Sequence, residues 1–169
     1  MKPKKDKVMK LAMGGMMAAL VFVATYFFKV PISVTQGYIH LGDGFILLGA
    51  ALIGWTAVPA AAIGSMLADL LAGYTLYCLP TFLIKGAVAA VAIWATTKTK
   101  PYWLTVALMT VAEAVMVAGY CVTEWLLLGS GLAAALGAVA PNLVQGLSGV
   151  VVGGLLIPVM RRAKLPGLH

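Results

Sequence analysis

Acidic side chains are nearly missing from this sequence: five Asp and Glu stand against twelve Lys and Arg in 169 residues, and charged residues make up 10%. A water-soluble domain of this length covers its surface with roughly 25% charged residues. So little charge excludes an ordinary soluble globule, and the outer face must meet lipid. Histidine is almost as scarce, with His40 and His169 the two present. One internal histidine cannot build a paired-histidine metal site. Nor can it readily serve Ser65, the hydroxyl after Gly64, as the base a nucleophile requires, because it lies at the outer end of another span. The two cysteines, Cys78 and Cys121, sit far apart in no metal or redox spacing and read as small buried hydrophobes. The formal net charge of +7 forms no basic stripe with interleaved aromatics, which argues against a nucleic-acid partner.

What is abundant is hydrophobic residue, 62% of the chain, with a mean hydropathy of +1.01. A helical span takes roughly 20 apolar residues. Apolar runs fall at 8–28, 40–55, 57–74, 80–96, 102–128 and 133–160, the second and third being short. They predict an all-α membrane protein. It is a single domain over 1–169 and a six-transmembrane-helix bundle, with a basic cytoplasmic tail at 1–10 and an irregular outer capping loop at 29–39. The lysines before the first run resemble the charged start of a signal peptide, but the run is long enough to span and no small-residue cleavage site follows it.

Lys and Arg in short loops set orientation. With six spans, both termini and the turn at 97–101 share one side. That side holds Lys2, Lys4, Lys5, Lys7, Lys10, Lys98, Lys100, Arg161, Arg162 and Lys164, leaving Lys29 and Lys85 elsewhere. Both termini are therefore expected in the cytoplasm.

Helices in lipid associate by close packing of small residues. Span one carries Gly14, Gly15, Ala18 and Ala19 in two overlapping small-xxx-small frames; span three carries Gly64, Ala68 and Ala72; span six carries Gly146, Gly149 and Gly153. Each stripe serves packing within the chain or a docking face for another membrane subunit. Span one, beside the basic tail, is the better docking candidate.

Ionisable groups at membrane depth are costly and point to function. Four acids lie beyond the N-terminal segment, Asp43, Asp69, Glu113 and Glu124, with one base, Lys85. Glu113, Tyr120 and Glu124 share a helix face at separations of seven and four residues, and Asn142 and Gln145 are one turn apart. These groups converge on the outer half of the bundle, which fits a pocket open to the outside better than a channel. The candidate substrate-binding residues are Tyr38, His40, Asp43, Tyr74, Lys85, Glu113, Tyr120, Glu124, Asn142 and Gln145. Structural readings stand beside them. Asp69 and Lys85 could pair across spans three and four, Asp43 could cap span two, and Asn142 after Pro141 could cap span six. Tyr38, Tyr74 and Tyr77 could be interfacial aromatics or stack on a ligand ring.

The run Gly37-Tyr38-Ile39-His40-Leu41-Gly42-Asp43-Gly44 resembles the start of span two in the substrate-binding S components of energy-coupling factor (ECF) transporters. Gly64-Ser65-Met66-Leu67-Ala68-Asp69-Leu70-Leu71-Ala72-Gly73-Tyr74 and Pro80-Thr81-Phe82-Leu83-Ile84-Lys85-Gly86 resemble the family's third and fourth spans, and Pro141-Asn142-Leu143-Val144-Gln145 its last. The resemblance implies a non-catalytic, high-affinity binding subunit of an ABC-type vitamin importer in the cell membrane, bacterial by that likeness. Its pocket would face outward under the loop between spans one and two. Its partners would be a transmembrane coupling subunit and two cytoplasmic ATPases, which use ATP; this chain itself would hold no cofactor. Gly14, Gly15, Ala18 and Ala19 would form the docking face, with glycine partly replacing the family's usual alanine-xxx-alanine. The chain is most similar to the riboflavin, hydroxymethylpyrimidine and pyridoxine group. Carboxylates, amides and tyrosines suit a small polar heteroaromatic ring, so a vitamin B6 form (pyridoxine or pyridoxamine) or hydroxymethylpyrimidine is expected ahead of riboflavin. A stand-alone proton- or ion-coupled carrier relaying through Glu113 and Glu124 is the rival.

Overall fold

The computed structural model describes residues 2–31, 38–96, 101–129 and 131–163, with residues 2–5 described by their backbone alone. Residues 32–37 of the expected capping loop, Gly37 among them, and the basic residues Lys98, Lys100 and Lys164 lie outside the described residues.

Six α-helices follow one another along the described chain: α1 (Lys2–Tyr26), α2 (Gly42–Ile53), α3 (Ala57–Leu71), α4 (Cys78–Thr96), α5 (Tyr102–Val122) and α6 (Leu132–Arg162). Five stretches are long and apolar enough to cross a membrane, Gly42–Leu71 counting as one of them. Within that stretch α2 and α3 meet at the 3-10 turn Gly54–Thr56, where Gly54 adopts φ +53°, a conformation that favours glycine. At 12 and 15 residues, α2 and α3 reach about 18 and 22 Å at 1.5 Å per residue, short of a hydrocarbon core of about 30 Å.

The basic residues at the start of the chain are continuous with the first helix. The helix begins at Lys2, because lysine is a good helix former and Pro3 sits in the first turn, where a missing N–H costs nothing. One short strand pair accompanies the helices among the described residues. Val30–Pro31 (β1) pairs antiparallel with Tyr38–Ile39 (β2), Val30 opposite Ile39 and Pro31 opposite Tyr38, so the ends of the capping segment are tied together.

Contacts at the glycines give the helix directions. A Cβ on Gly14 would meet Thr56 and one on Gly64 would meet Ala18, so α1 and α3 run the same way. Gly42 lies against Thr25 and Gly49 against Met17, so α2 runs opposite to α1. Gly149 lies against Asp43 and Gly153 against Leu47, so α6 runs with α2. Arg161 donates to the Thr96 carbonyl at 3.1 Å, joining the ends of α4 and α6. One end of the bundle therefore gathers the start of α1, the Gly54–Thr56 turn, the end of α4 and the end of α6. The other end gathers the start of α2, the end of α3, the start of α4 and the end of α5.

The short helix α2 lies at the centre. After Asp43 it carries no polar side chain, and ten of its twelve residues are buried, the pattern of a helix wrapped by others. Ile46 and Leu47 pack with Val88 and Ile93 of α4, Met109 and Met116 of α5, and Val150 and Ile157 of α6. The long helices turn Leu11, Leu83, Val111 and Leu155 outward, an apolar exterior suited to lipid. Trp55, Trp94 and Trp103 are exposed toward one end and Trp125 toward the other, where indole rings favour the membrane interface.

Candidate functional site

Local sequence rules bring the polar side chains to one end of the bundle. Helix α3 ends in a Schellman turn: Tyr74 N–H donates to the Asp69 carbonyl at 2.9 Å and Gly73 N–H to that of Leu70 at 3.3 Å, with Gly73 at φ +86°. That turn sends the chain into the 3-10 segment Thr75–Tyr77 and sets Asp69, Tyr74 and Tyr77 around one opening. Helix α5 runs on into a π turn, Thr123–Leu127, with Leu128 N–H donating to the Thr123 carbonyl at 3.0 Å. The extra residue in that turn leaves Glu124 buried while Trp125, Leu126 and Leu127 point outward. Pro141, inside α6, removes one helix hydrogen bond at the level of Asn142.

These elements enclose a cavity of about 50 Å³ lined by Tyr38, His40, Asp69, Tyr74, Tyr77, Thr81, Tyr120, Glu124, Ala138, Pro141, Asn142 and Gln145. A hollow of about 400 Å³ outside it shares Tyr74, Tyr77 and Glu124 and is completed by Gly73, Thr75, Leu76 and Leu128. The Tyr38 and Tyr74 ring centroids lie 5.0 Å apart and those of Tyr74 and Tyr77 6.2 Å apart, so three phenol rings form one wall. Tyr38 donates its hydroxyl to Asp69 Oδ1 at 2.6 Å, Tyr77 donates to Glu124 Oε1, and the Tyr120 and Thr81 hydroxyls share a hydrogen bond of 2.9 Å. Burial, with Asp69 alongside, pushes the Tyr38 phenol well above its ordinary pKa, so it stays a donor.

Beneath the cavity lies a second polar layer. Lys85 Nζ is 2.6 Å from Asp43 Oδ1, both side chains fully buried, and Gln145 Nε2 donates to Asp43 Oδ2 at 2.7 Å. Gln145 Oε1 in turn accepts the His40 backbone N–H at 3.2 Å, while His40 Nδ1 accepts the Gly42 backbone N–H at 3.0 Å. Burial and the nearby Lys85 ammonium lower the pKa of His40, in the segment before α2, from 6.5 to about 3. Glu113 is buried beside Gly149, where an added Cβ would meet both Asp43 and the Glu113 carboxylate, and neither of its carboxylate oxygens has a hydrogen-bond partner among the described residues.

Of the ten residues expected from sequence to bind substrate, Tyr38, His40, Tyr74, Tyr120, Glu124, Asn142 and Gln145 line the cavity, while Asp43, Lys85 and Glu113 lie outside its lining. Three structural expectations are corrected. Lys85 pairs with Asp43 rather than Asp69, because α2 rather than α3 brings a carboxylate to its depth. Asp43 makes no capping bond; the N-cap is Leu41, and the carboxylate is turned to Lys85. Asn142 lies well inside α6, which starts at Leu132, so it caps nothing. Asp69, Tyr77 and Thr81 also face the cavity. Their signal in the sequence was the turn chemistry of Ala72-Gly73-Tyr74, which predicts that α3 stops just after Asp69. The Ser65 hydroxyl is buried with no hydrogen-bond partner among the described residues.

The four small residues of α1 divide between two faces. Gly14 abuts Thr56 and the Ala18 carbonyl lies under Gly64, whereas a Cβ on Gly15 would meet nothing within 4 Å and Ala19 is exposed. The Gly14–Ala18 frame thus packs on α3, and the Gly15–Ala19 frame faces outward.

Comparison with known proteins places this arrangement. The solved structure described as "Structure and mechanism of the S component of a bacterial ECF transporter" superposes with a TM-score of 0.75 at 18% identity, covering 94% of this chain and 99% of that one, which establishes the fold. A Pyrococcus woesei protein described as "Uncharacterized protein in gap 3'region" is 34% identical over 153 residues, 88% of this chain and 99% of its own length. Residues 5–162 match the family described as ECF-type riboflavin transporter, S component. The chain belongs to that family, and it is a non-catalytic, membrane-embedded substrate-binding subunit of an ECF transporter.

Proposed function

We propose that this subunit captures a water-soluble vitamin or precursor built on one heteroaromatic ring, a vitamin B6 form or hydroxymethylpyrimidine, in the tyrosine-walled cavity. The observation that carries the reading is the pairing of a narrow cavity of about 50 Å³ with two carboxylates, two amides and three adjoining phenol rings in its wall. A single ring needs less widening of that space than a tricyclic isoalloxazine. Amide and carboxylate groups bond ring substituents, and phenol faces cover the ring. Riboflavin is the second reading, favoured by the family's description and by the outer hollow of about 400 Å³, into which a longer ligand could extend.

The same proposal has six membrane crossings, with both termini in the cytoplasm of the cell. The alternating helix directions support the first part, and exposed Lys7, Lys10, Arg161 and Arg162 at one end of the bundle support the second. The outward frame of Gly15 and Ala19 would dock on a transmembrane coupling subunit, with two ATPases hydrolysing ATP below it and no cofactor in this chain. A stand-alone carrier has less support. Asp43, Asp69 and Glu124 sit toward the outer end with Glu113 near the middle, and among the described residues the buried core of the inner half is apolar apart from Thr96 and Thr105.

The test has two readouts. Titration of the purified chain with pyridoxine, pyridoxamine, hydroxymethylpyrimidine and riboflavin is expected to give submicromolar binding for a single-ring compound and weaker binding for riboflavin. In liposomes the chain alone is expected to give no uptake under an ion gradient, with uptake appearing when the coupling subunit, ATPases and ATP are added. Tighter binding of riboflavin, or gradient-driven uptake by the chain alone, would overturn the respective part.

A further inference from the structure

We infer that His40 is the specificity-determining donor of this cavity, and that the ligand meets it with an unprotonated acceptor: a ring nitrogen, a ring carbonyl or a hydroxyl oxygen. The inference rests on the cavity being the substrate site, as proposed above, and deepens it by naming the edge the ligand must present. The hydrogen bonds of the wall carry it. Tyr38 donates to Asp69 at 2.6 Å, Tyr77 donates to Glu124, and the Tyr120 and Thr81 hydroxyls share one bond. Gln145 is engaged at both ends of its amide, donating to Asp43 at 2.7 Å and accepting the His40 backbone N–H at 3.2 Å. Among the described lining residues, the side chains of Tyr74 and Asn142 make no hydrogen bond, and His40 keeps one ring nitrogen unused. A phenol or an amide can turn to donate or to accept. His40 can only donate.

Its Nδ1 accepts the Gly42 backbone N–H at 3.0 Å. A backbone N–H is a donor and nothing else, so Nδ1 carries no proton and, in the neutral ring, Nε2 does. Burial and the Lys85 ammonium keep the ring neutral, with Asp43 opposing them more weakly. The ring is also held in place. It is 7% exposed, and its centroid lies 5.5 Å from that of Tyr38. A Cβ at Gly42 would collide with Thr25 and stand 2.9 Å from Nδ1, so glycine lets the backbone press against the imidazole. The result is a buried wall with one fixed N–H and no partner for it among the described residues. A site built to bond a polar atom strongly rejects an analogue that lacks it. A ring edge that bears its own proton or methyl group sets it against the Nε2–H and is refused in that orientation. Asn142, one turn before Gln145 on α6, can pair with an amine or hydroxyl beside the acceptor.

Isothermal titration of the purified chain with pyridoxine, pyridoxamine, hydroxymethylpyrimidine and riboflavin identifies the compound that binds, which is then titrated into two variants. His40→Asn keeps an acceptor for the Gly42 backbone N–H but does not reach the Nε2 position. His40→Gln places an amide N–H there. His40→Asn is expected to bind about tenfold more weakly than the wild type, the cost of a buried polar atom left unpaired. His40→Gln is expected to bind at least about threefold tighter than His40→Asn, by restoring that bond. The second readout is the ring itself. With His169→Gln, His40 is the one histidine of the chain. Its nitrogen-15 spectrum is expected to show Nδ1 unprotonated and Nε2 protonated, with the bound compound moving the Nε2–H resonance downfield. If riboflavin is the compound that gives this pattern, the single-ring reading fails and the donor inference stands. Full affinity in His40→Asn with an unmoved Nε2–H overturns the inference and leaves the cavity reading intact. A ligand-free ring protonated at Nδ1 overturns it as well. Failure of all four compounds to bind overturns both. The spectrum decides even if a variant does not fold.

Discussion

Lys85 Nζ lies 2.6 Å from Asp43 Oδ1 with both side chains fully buried, and Gln145 holds the second Asp43 oxygen at 2.7 Å. This contact ties the central helix α2 to α4 and α6 directly under the cavity. Breaking one side of such a pair leaves a buried charge alone, which costs about 3–5 kcal/mol. Asp43→Asn and Lys85→Met are each expected to lower the thermal unfolding temperature of the detergent-purified chain strongly. The double variant Asp43→Leu with Lys85→Met is expected to recover most of that loss, since apolar replacement of both partners is often near neutral. A double variant as unstable as the singles would show that the pair is not the source.

Glu113 gives the opposite expectation. Its two oxygens are buried without hydrogen-bond partners among the described residues, so no described bond is lost when its charge is removed. Glu113→Gln is expected to leave the unfolding temperature unchanged or raised, and to leave ligand affinity within about twofold (roughly 0.4 kcal/mol), because Glu113 does not line the cavity. A large loss of affinity would place Glu113 in the ligand site, as its sequence position suggests.

Gly15 and Gly64 separate docking from folding. A Cβ at Gly64 would come within 2.5 Å of the Ala18 carbonyl oxygen, while Gly15 meets nothing within 4 Å. Gly64→Ala must push α1 off α3 and is expected to destabilise the chain by about 1–3 kcal/mol. Gly15→Leu is expected to keep both fold and ligand affinity and to lower uptake by the full transporter roughly tenfold, about 1.4 kcal/mol of docking free energy. Normal uptake by Gly15→Leu would contradict the docking assignment.

His40 sets a pH dependence. Its pKa falls from 6.5 in the unfolded chain to about 3 in the folded one, so folding favours the neutral ring. That contribution is complete above pH 6.5 and is lost progressively as pH falls toward 3. His40→Asn is expected to flatten the unfolding temperature over this window relative to the wild type. An unchanged acid slope would show that the carboxyls alone govern it.

The helical class, the helix order and the outer gathering of polar groups were legible because hydropathy runs and rare charges are strong signals in lipid. The partner of Lys85 was not. Asp69 and Lys85 are nearer in sequence, but the central placement of α2 follows from its all-apolar surface after Asp43, which a span-by-span reading treats as ordinary lipid-facing hydrophobicity. The division of the α1 stripe was likewise hidden. Two overlapping frames on one helix look alike until the Gly54–Thr56 turn places Thr56 against Gly14. That the helix runs back to Lys2 and that Val30–Pro31 pairs with Tyr38–Ile39 were not legible, because nothing in a basic run stops a helix after Pro3 and two-residue strand pairs carry almost no sequence pattern.

The most direct test equilibrates the purified chain with a mixture of water-soluble vitamins at submicromolar concentration, removes the unbound fraction and identifies what remains by mass spectrometry. The expected result is one single-ring heteroaromatic compound retained near one equivalent, and lost from Glu124→Gln. Retention of no vitamin at all would contradict the assignment of this cavity as a substrate site.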